Sequence, residues 1–252
     1  MGKKKKGIDE LISDSLLLKE ESPYNIPENW IWITLENCLE SIQYGYTETA
    51  SLEEVGPKFL RITDIQNDMV DWNSVPYCKI DEKNLEKYVL KDNDIVVART
   101  GATTGKSYLI SKPPVGVFAS YLIRLRKSRA IDPQYLWNYM KSPMYWKQII
   151  VVKKGSAQPG ANAQILGNLF IPLPPLAEQE RIAQKINSLF GKIDTARYLM
   201  EEALNNSAKQ EGLEQLKQSI LFKAFHGELG TNDPTEESAI ELLKEVIQEK
   251  IK

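Results

Sequence analysis

Residues 94–111 of the chain read DIVVARTGATTGKSYLIS, an apolar run followed by a Gly/Thr-rich loop and a second apolar run. Two structures are compatible with this pattern. In a phosphate-binding P-loop, a buried strand leads through G-x-x-x-x-G-K-[ST] into a helix. In a β-hairpin, the loop joins two antiparallel strands. The choice decides whether a nucleotide-binding protein or a β-rich protein is expected.

Three features of this stretch favour the hairpin. Gly101 and Gly105 are separated by three residues, where a P-loop has four. The residues after Lys106 are typical of a strand and end at two prolines, whereas a P-loop places its phosphates at the N-terminus of a helix. No later apolar strand ends in the aspartate that holds Mg²⁺ in such enzymes. We therefore predict strands at 94–99 and 107–111, and a nucleotide-binding enzyme using residues 101–107 is kept as an alternative.

The sequence on both sides of the hairpin predicts an α+β fold, in which a β-rich mixed domain is followed by a long coiled-coil-forming helix. Short runs of β-branched and aromatic residues predict further strands at 30–35, 58–63 and 116–126. Asp132-Pro133 is typical of a helix start, and one or two short helices interrupted near Pro143 should follow. The expected segments are an N-terminal basic and amphipathic helical segment (1–22), the β-rich domain (23–175), the long helix (176–230) and a C-terminal amphipathic helix (231–252) capped by Asp233, Pro234 and Glu236.

Composition excludes several functional classes. Of the 252 residues, 42% are hydrophobic and 26% are charged, and no apolar run is long enough to span a membrane, so we expect a cytoplasmic protein. Two cysteines and one histidine are too few for a zinc site of Cys and His ligands. A Ser-His-Asp or Cys-His mechanism could use only His226, which lies in a stretch typical of a helix. We predict no metal, no cofactor and no catalytic residue.

Charge is distributed unevenly along a chain whose net charge is −2. Residues 91–160 contain 12 lysines and arginines against 3 acidic residues, a balance of +9. Residues 1–90 have 10 against 17, and residues 161–252 have 10 against 14. A localised basic region of this kind is typical of nucleic-acid binding.

Three polar loops carry side chains suited to DNA. They are QYGYTET (43–49), the loop of the predicted hairpin, and KKGSAQPGANAQ (153–164). Arg, Lys and Thr donors suit DNA phosphates, Arg and Lys can also contact guanine, and Gln and Asn can pair with adenine. With two basic residues of the predicted strand 58–63, the candidate DNA-binding residues are Gln43, Tyr44, Tyr46, Thr47, Lys58, Arg61, Arg99, Thr100, Thr103, Thr104, Lys106, Lys153, Lys154, Ser156, Gln158 and Asn162.

A heptad pattern follows a proline-rich segment at 172–175. Its apolar residues are spaced alternately by four and three from Ile182, and the pattern resumes one residue early near Gly212. We predict a single helix of about 40 residues, and the chain offers no second helix of that length to pack against it. We therefore predict pairing with a second copy or a partner chain, with packing on the chain's own core as the alternative. The predicted dimerisation residues are Ile182, Ile186, Leu189, Ile193, Met200, Leu213, Leu216 and Ile220.

Four stretches of the sequence resemble the specificity (S) subunits of Type I restriction-modification systems. They occur in the order of that family and are PYNIPENWIWITLENC (23–38), DIVVARTGATTGKSYLI (94–110), SAQPGANAQILGNLFIPLPPLAEQERIAQKI (156–186) and LKQSILFKAFHGEL (216–229). The resemblance implies a non-catalytic subunit that reads double-stranded DNA and holds methyltransferase (M) and endonuclease (R) subunits. In that family, two recognition domains are each followed by a long helix, and the two helices pack antiparallel as a spacer.

This sequence departs from the family pattern in its length. It contains one predicted recognition domain, one long helix and no internal repeat. The resemblance therefore implies a half-length subunit, two copies of which would pair through residues 176–228 and read an inverted-repeat site. A coiled-coil scaffold without DNA binding is the other alternative.

Overall fold

A computed structural model describes residues 12, 13, 15–17, 22–154, 160–204 and 210–251. In this part of the chain the strands are β1 (Ile31–Thr34), β2 (Leu39–Tyr44), β3 (Lys58–Leu60), β4 (Ile65–Gln66), β5 (Met69–Val70), β6 (Ile95–Ala98), β7 (Ser107–Leu109), β8 (Gly116–Phe118), β9 (Leu122–Lys127) and β10 (Phe170–Leu173). The helices are α1 (Glu82–Tyr88), α2 (Pro133–Tyr139), α3 (Pro143–Lys154), α4 (Ala163–Gly167), α5 (Leu176–Leu204), α6 (Gln210–Phe225) and α7 (Ala239–Ile251). Short 3-10 helices occupy Leu35–Cys38 and Ile62–Asp64.

The central sheet has four antiparallel strands in the order β2-β9-β6-β7. Strand β6 is buried along its whole length, which explains its unbroken apolar sequence. It pairs with β7 in the register Ile95↔Leu109 and Val97↔Ser107, so the predicted hairpin is confirmed and the P-loop is not. Gly101 (φ +81°) and Gly105 (φ +90°) have left-handed backbones, so both glycines are needed by the loop itself.

Two predicted strands are shorter than expected. The predicted strand 116–126 is two strands, because the chain turns between them and Leu122 N donates to Ala119 O. The predicted strand 58–63 ends at Leu60, since Asp64 accepts hydrogen bonds from the backbone and side chain of Arg61 and closes a 3-10 turn. Such local side-chain bonds compete with strand pairing.

The largest hydrophobic core joins the β-rich domain to the helices. Strands β1 and β10 pair antiparallel and contribute Ile33 and Leu173 to this core. The Phe225 ring of α6 lies 5.2 Å from the ring of Tyr135 and 5.3 Å from that of Tyr139, both on α2. Helix α2 begins as predicted, with Asp132 capping Tyr135 N at 2.7 Å and Pro133 in the first turn.

The prediction of one continuous helix over 176–230 is wrong. Lys217 Nζ of α6 lies 2.6 Å from Asp194 Oδ1 of α5, although 23 residues of a continuous helix would span about 34 Å. The two helices therefore lie antiparallel along each other as a hairpin. Because α6 returns along α5, and because α2 packs on α5, the chain supplies neighbours that the heptad analysis assigned to another chain.

The predicted dimerisation residues consequently differ in their surroundings. Ile182 and Ile186 are fully buried in the chain's own core, and Ile193 is buried as well, which the packing alternative anticipated. Leu189, Leu213 and Ile220 are half-buried, Leu216 is 48% exposed, and the side chain of Met200 lies outside the described residues.

The C-terminal amphipathic helix exists but begins later than predicted. Asp233 Oδ1 accepts from Thr235 N at 2.9 Å in a turn, and the helix starts at Ala239. Glu236 forms a two-point ion pair with Arg181 of α5 at 2.7 and 2.8 Å instead of capping the helix. Leu243 and Ile247 bury the apolar face of α7 in the main core.

Two buried polar residues fasten the start of α5 to the β-rich domain. Glu178 Oε2 accepts hydrogen bonds from Trp30 Nε1 at 2.8 Å and Asn232 Nδ2 at 3.0 Å. Gln179 accepts from Asp132 N at 2.8 Å and donates to two backbone carbonyls. Burial raises the pKa of Glu178, although its hydrogen bonds oppose the shift. The PLAEQ sequence thus fixes the direction in which α5 leaves the domain.

Of the N-terminal segment, the described residues pack against the domain. Ile12 is buried in the main core, and Leu16 forms an isolated antiparallel bridge with Ile33. Among the described residues, none of the helices has the length and hydropathy that a membrane span requires.

Candidate nucleic-acid interface

Three strands of the central sheet bring their connecting loops to one end. The pairs Ala98↔Leu122 and Tyr44↔Ile123 place the end of β6, the end of β2 and the start of β9 side by side. The loop before α4 reaches the same end, where Ala161 N donates to Arg99 O at 2.9 Å and Ala163 N donates to Tyr44 Oη at 3.1 Å. All three polar loops singled out in the sequence therefore meet at this end, which we call the loop end of the sheet.

The electrostatics of the loop end are cationic. Residues 95–131, which include the 99–106 loop and β9, contain no aspartate or glutamate. The Arg99 guanidinium lies 4.9 Å from the centre of the Tyr44 ring, a cation–π contact that orients both side chains. Lys106 and Thr47 are exposed, while Thr100 and Thr103 are half-buried. This arrangement presents donors to a polyanion without a nearby acidic group in the same segment.

Lys106 also borders a cleft of about 630 Å³ between the 99–106 loop, the β4–β5 turn and helices α5 and α6. The other lysines on its walls are paired: Lys141 Nζ lies 2.7 Å from Asp68 Oδ2, and Lys217 is bound to Asp194. Lys106 thus differs from them in being exposed at the loop end.

Several predicted DNA-binding residues are instead engaged inside the protein. Thr104 is buried, and its hydroxyl donates to Gly101 O at 2.7 Å. Lys58 Nζ donates to Val75 O at 2.8 Å and lies over the Tyr77 ring. The Arg61 guanidinium is held by both carboxylate oxygens of Asp64. These side chains stabilise turns, a role that residue type alone does not distinguish from DNA contact.

Two amides and one tyrosine have similar internal roles. Asn162 Oδ1 accepts from Ile165 N at 2.8 Å and caps α4. Gln43 accepts a hydrogen bond from Arg124 and donates to Lys87 O at 3.4 Å. Tyr46 is half-buried, and its ring centre lies 5.2 Å from that of Tyr88. Lys153 and Lys154 lie in the last turn of α3, but their side chains, like Ser156 and Gln158, lie outside the described residues.

The sequence analysis missed a buried charge network that supports the loop end. Arg124 is 2% exposed, and its guanidinium donates to Val89 O at 2.8 Å and lies 3.8 Å from the Asp94 carboxylate. Asp94 also accepts from Arg126 Nε at 3.0 Å. Burial lowers the pKa of Arg124 to about 10, and the charge of Asp94 opposes the shift. The alternating arginines in LIRLRK, next to a strand that begins with Asp94, were the available signal.

Tyr121 was also missed. It lies in the three-residue connection between β8 and β9, directly at the loop end, and its side chain is 62% exposed. The sequence analysis assigned it to the interior of a strand, where an alternating pattern gave no indication of its exposure.

Residues 27–210 match the family model of the Type I restriction modification DNA specificity domain. The chain belongs to this family. The predicted resemblance is thereby confirmed. Among curated relatives, the chain is 28% identical over 203 residues to the EcoKI specificity subunit of Escherichia coli K12, covering 78% of this chain and 42% of that protein. It is 26% identical over 212 residues to the MjaVIII specificity subunit of Methanocaldococcus jannaschii, covering 81% and 47%.

Solved structures show the same fold. A chain from a study of complex assembly and conformational transition of the type I R-M system aligns with a TM-score of 0.58 at 20% identity, covering 88% of this chain and 51% of that one. The HsdS subunit of Thermoanaerobacter tengcongensis aligns with a TM-score of 0.54 at 20% identity, covering 88% and 50%. The predicted α+β class with a β-rich domain is confirmed. The chain spans about half the length of the curated relatives it matches.

Proposed function

We propose that this chain is a non-catalytic subunit that recognises a DNA sequence for a Type I restriction-modification enzyme. The observation that carries the proposal is the meeting of three polar loops at the acid-free loop end, in a chain of the specificity family. Arg99 and Lys106 would bind backbone phosphates, and neighbouring polar and aromatic side chains would contact base edges. Methylation and cleavage would be supplied by methyltransferase (M) and endonuclease (R) subunits.

We further propose that two copies assemble through their helices, because the chain covers half of its relatives. Identical copies related by a two-fold axis would read a split site with inverted-repeat halves. Since Ile182 and Ile186 are committed to the chain's own core, the contact would use exposed apolar residues of the helical hairpin, namely Tyr198, Leu216 and Phe222. The buried contacts of Glu178 and Gln179 would hold each recognition domain at a set angle to that contact.

The phosphate role of the loop end is tested by replacing Lys106 with alanine. We expect weaker binding to duplexes of every sequence, because a phosphate contact carries no base information. The slope of log affinity against log salt concentration should become shallower by about one, as one cation no longer displaces counterions. Titration of a fluorescent duplex at several salt concentrations measures both quantities.

The matched control is Lys112→Ala, which removes the same charge beyond the opposite end of β7. Its salt slope should stay close to that of the unmodified protein. Equal effects of the two variants, or no duplex binding by the unmodified protein at low salt, would contradict the proposal. Magnesium-dependent ATP binding that is lost in Lys106→Ala would instead support the nucleotide-binding alternative.

A further inference from the structure

Tyr121 combines high exposure with a tightly held backbone. Its side chain is 62% exposed, although it follows the buried strand β8 and precedes the buried start of β9. An exposed aromatic residue is unremarkable on a mobile surface loop. Here the question is what holds the residue in place and what surrounds it.

The backbone around Tyr121 is fixed by hydrogen bonds from three different strand ends. Tyr121 O accepts from Arg99 N at 2.9 Å, which ties it to the end of β6. Ala119 N donates to Leu60 O at 2.9 Å, and Leu122 O accepts from Gly45 N at 3.0 Å. Since β3, β6 and β2 all contribute, the connection cannot move without disturbing the sheet. The ring is therefore presented on a rigid support, which lowers the entropy lost when it meets a partner.

A close approach of two backbones depends on Gly45. A Cβ placed on this residue would lie 2.1 Å from Ala119 O, so no other residue fits without moving the chain. The glycine brings the QYGY segment against the 119–121 connection. As a result, the aromatic residues at positions 44 and 121 share the loop end with Arg99.

The two tyrosines nevertheless differ in their availability. The Tyr44 ring lies under the Arg99 guanidinium, and its hydroxyl accepts from Ala163 N, so this residue joins two loops. Tyr121 takes part in the network through its backbone oxygen, which leaves its ring area exposed. A phosphate needs donors, which Arg99 and Lys106 provide, whereas a flat apolar ring suits a base face or a thymine methyl group.

From this geometry we infer that Tyr121 is a specificity-determining residue whose ring contacts a base in the DNA target. The inference rests on the proposed function and refines it by separating base contact from phosphate contact at the loop end. Its role is carried by the ring, because a rigid aromatic anchor can discriminate between bases by shape and apolar contact.

The test is selection of bound duplexes from a pool with a randomised central segment, followed by sequencing, with the full chain. For the unmodified protein we expect an enriched motif. In Tyr121→Ala, preference at one position of each half-site should fall by about tenfold, with the remaining positions retained. Tyr121→Phe should keep the motif, because the ring is preserved. Both variants should melt at the temperature of the unmodified protein, since the side chain is exposed.

The outcomes separate this inference from the proposed function. A Tyr121→Ala motif identical to the original would overturn the role of Tyr121 and leave DNA recognition intact. A uniform loss across all positions would assign Tyr121 to the backbone, and would equally overturn the inference. Absence of any motif for the unmodified protein would refute the proposed function itself.

Discussion

Replacing Asp94 with asparagine is expected to lower the free energy of unfolding by about 3–5 kcal/mol. Asparagine keeps the size of the side chain, so the loss reports on charge and not on a cavity. Arg124, which is 2% exposed, would lose its carboxylate partner and remain buried as a cation. Arg126 would lose the same partner, and Lys91 N would lose the charged acceptor that closes the turn before β6.

The matched control is Asp68→Asn, which breaks an ion pair of similar geometry on the surface. Asp68 Oδ2 lies 2.7 Å from Lys141 Nζ, but the Asp68 side chain is 56% exposed. Exposed pairs contribute about 0.2–1 kcal/mol, so this variant should change stability little. Urea unfolding followed by circular dichroism measures both values. Similar losses for the two variants would show that burial does not determine the importance of Asp94.

Ile186→Asp is expected to prevent folding, with a loss above about 4 kcal/mol, because a carboxylate would enter a fully buried site of the main core. The heptad analysis alone predicts a different result, a folded monomer that has lost its partner. Leu216→Asp supplies the comparison, since Leu216 belongs to the same apolar pattern but is 48% exposed. This second variant should fold normally and dissociate the proposed dimer.

Circular dichroism and sedimentation at micromolar concentration distinguish these results. A folded, monomeric Ile186→Asp variant would show that Ile186 contacts another chain and not its own core. An unchanged dimer in Leu216→Asp would exclude that part of α6 from the contact. A monomer for the unmodified protein would contradict assembly through the helices altogether.

Local chemistry made part of this fold predictable. The hairpin could be recognised because glycine spacing, strand-forming residues and the two following prolines all act within a few residues of each other. The helix start at Asp132-Pro133 was predictable for the same reason, since the cap bonds a backbone amide three residues away.

Features that depend on distant partners were not predictable. The heptad pattern shows that one helix face must be buried, but it does not show whether α6 of the same chain or a second chain covers it. A lysine or threonine in a polar loop has the same appearance whether it binds DNA or a nearby carbonyl, as Lys58 and Thr104 show. The convergence of three loops separated by up to about 120 residues follows only from strand order, which pairs β2, β9 and β6.

The most direct test of sequence recognition is methylome sequencing of cells that express this chain together with a Type I methyltransferase subunit. Recognition by identical paired copies predicts methylation at one split motif whose halves are inverted repeats with a constant spacer. The motif should disappear when the chain is omitted. Methylation that does not depend on the chain would contradict its role as the recognition subunit, and a motif with unrelated halves would contradict recognition by two identical copies.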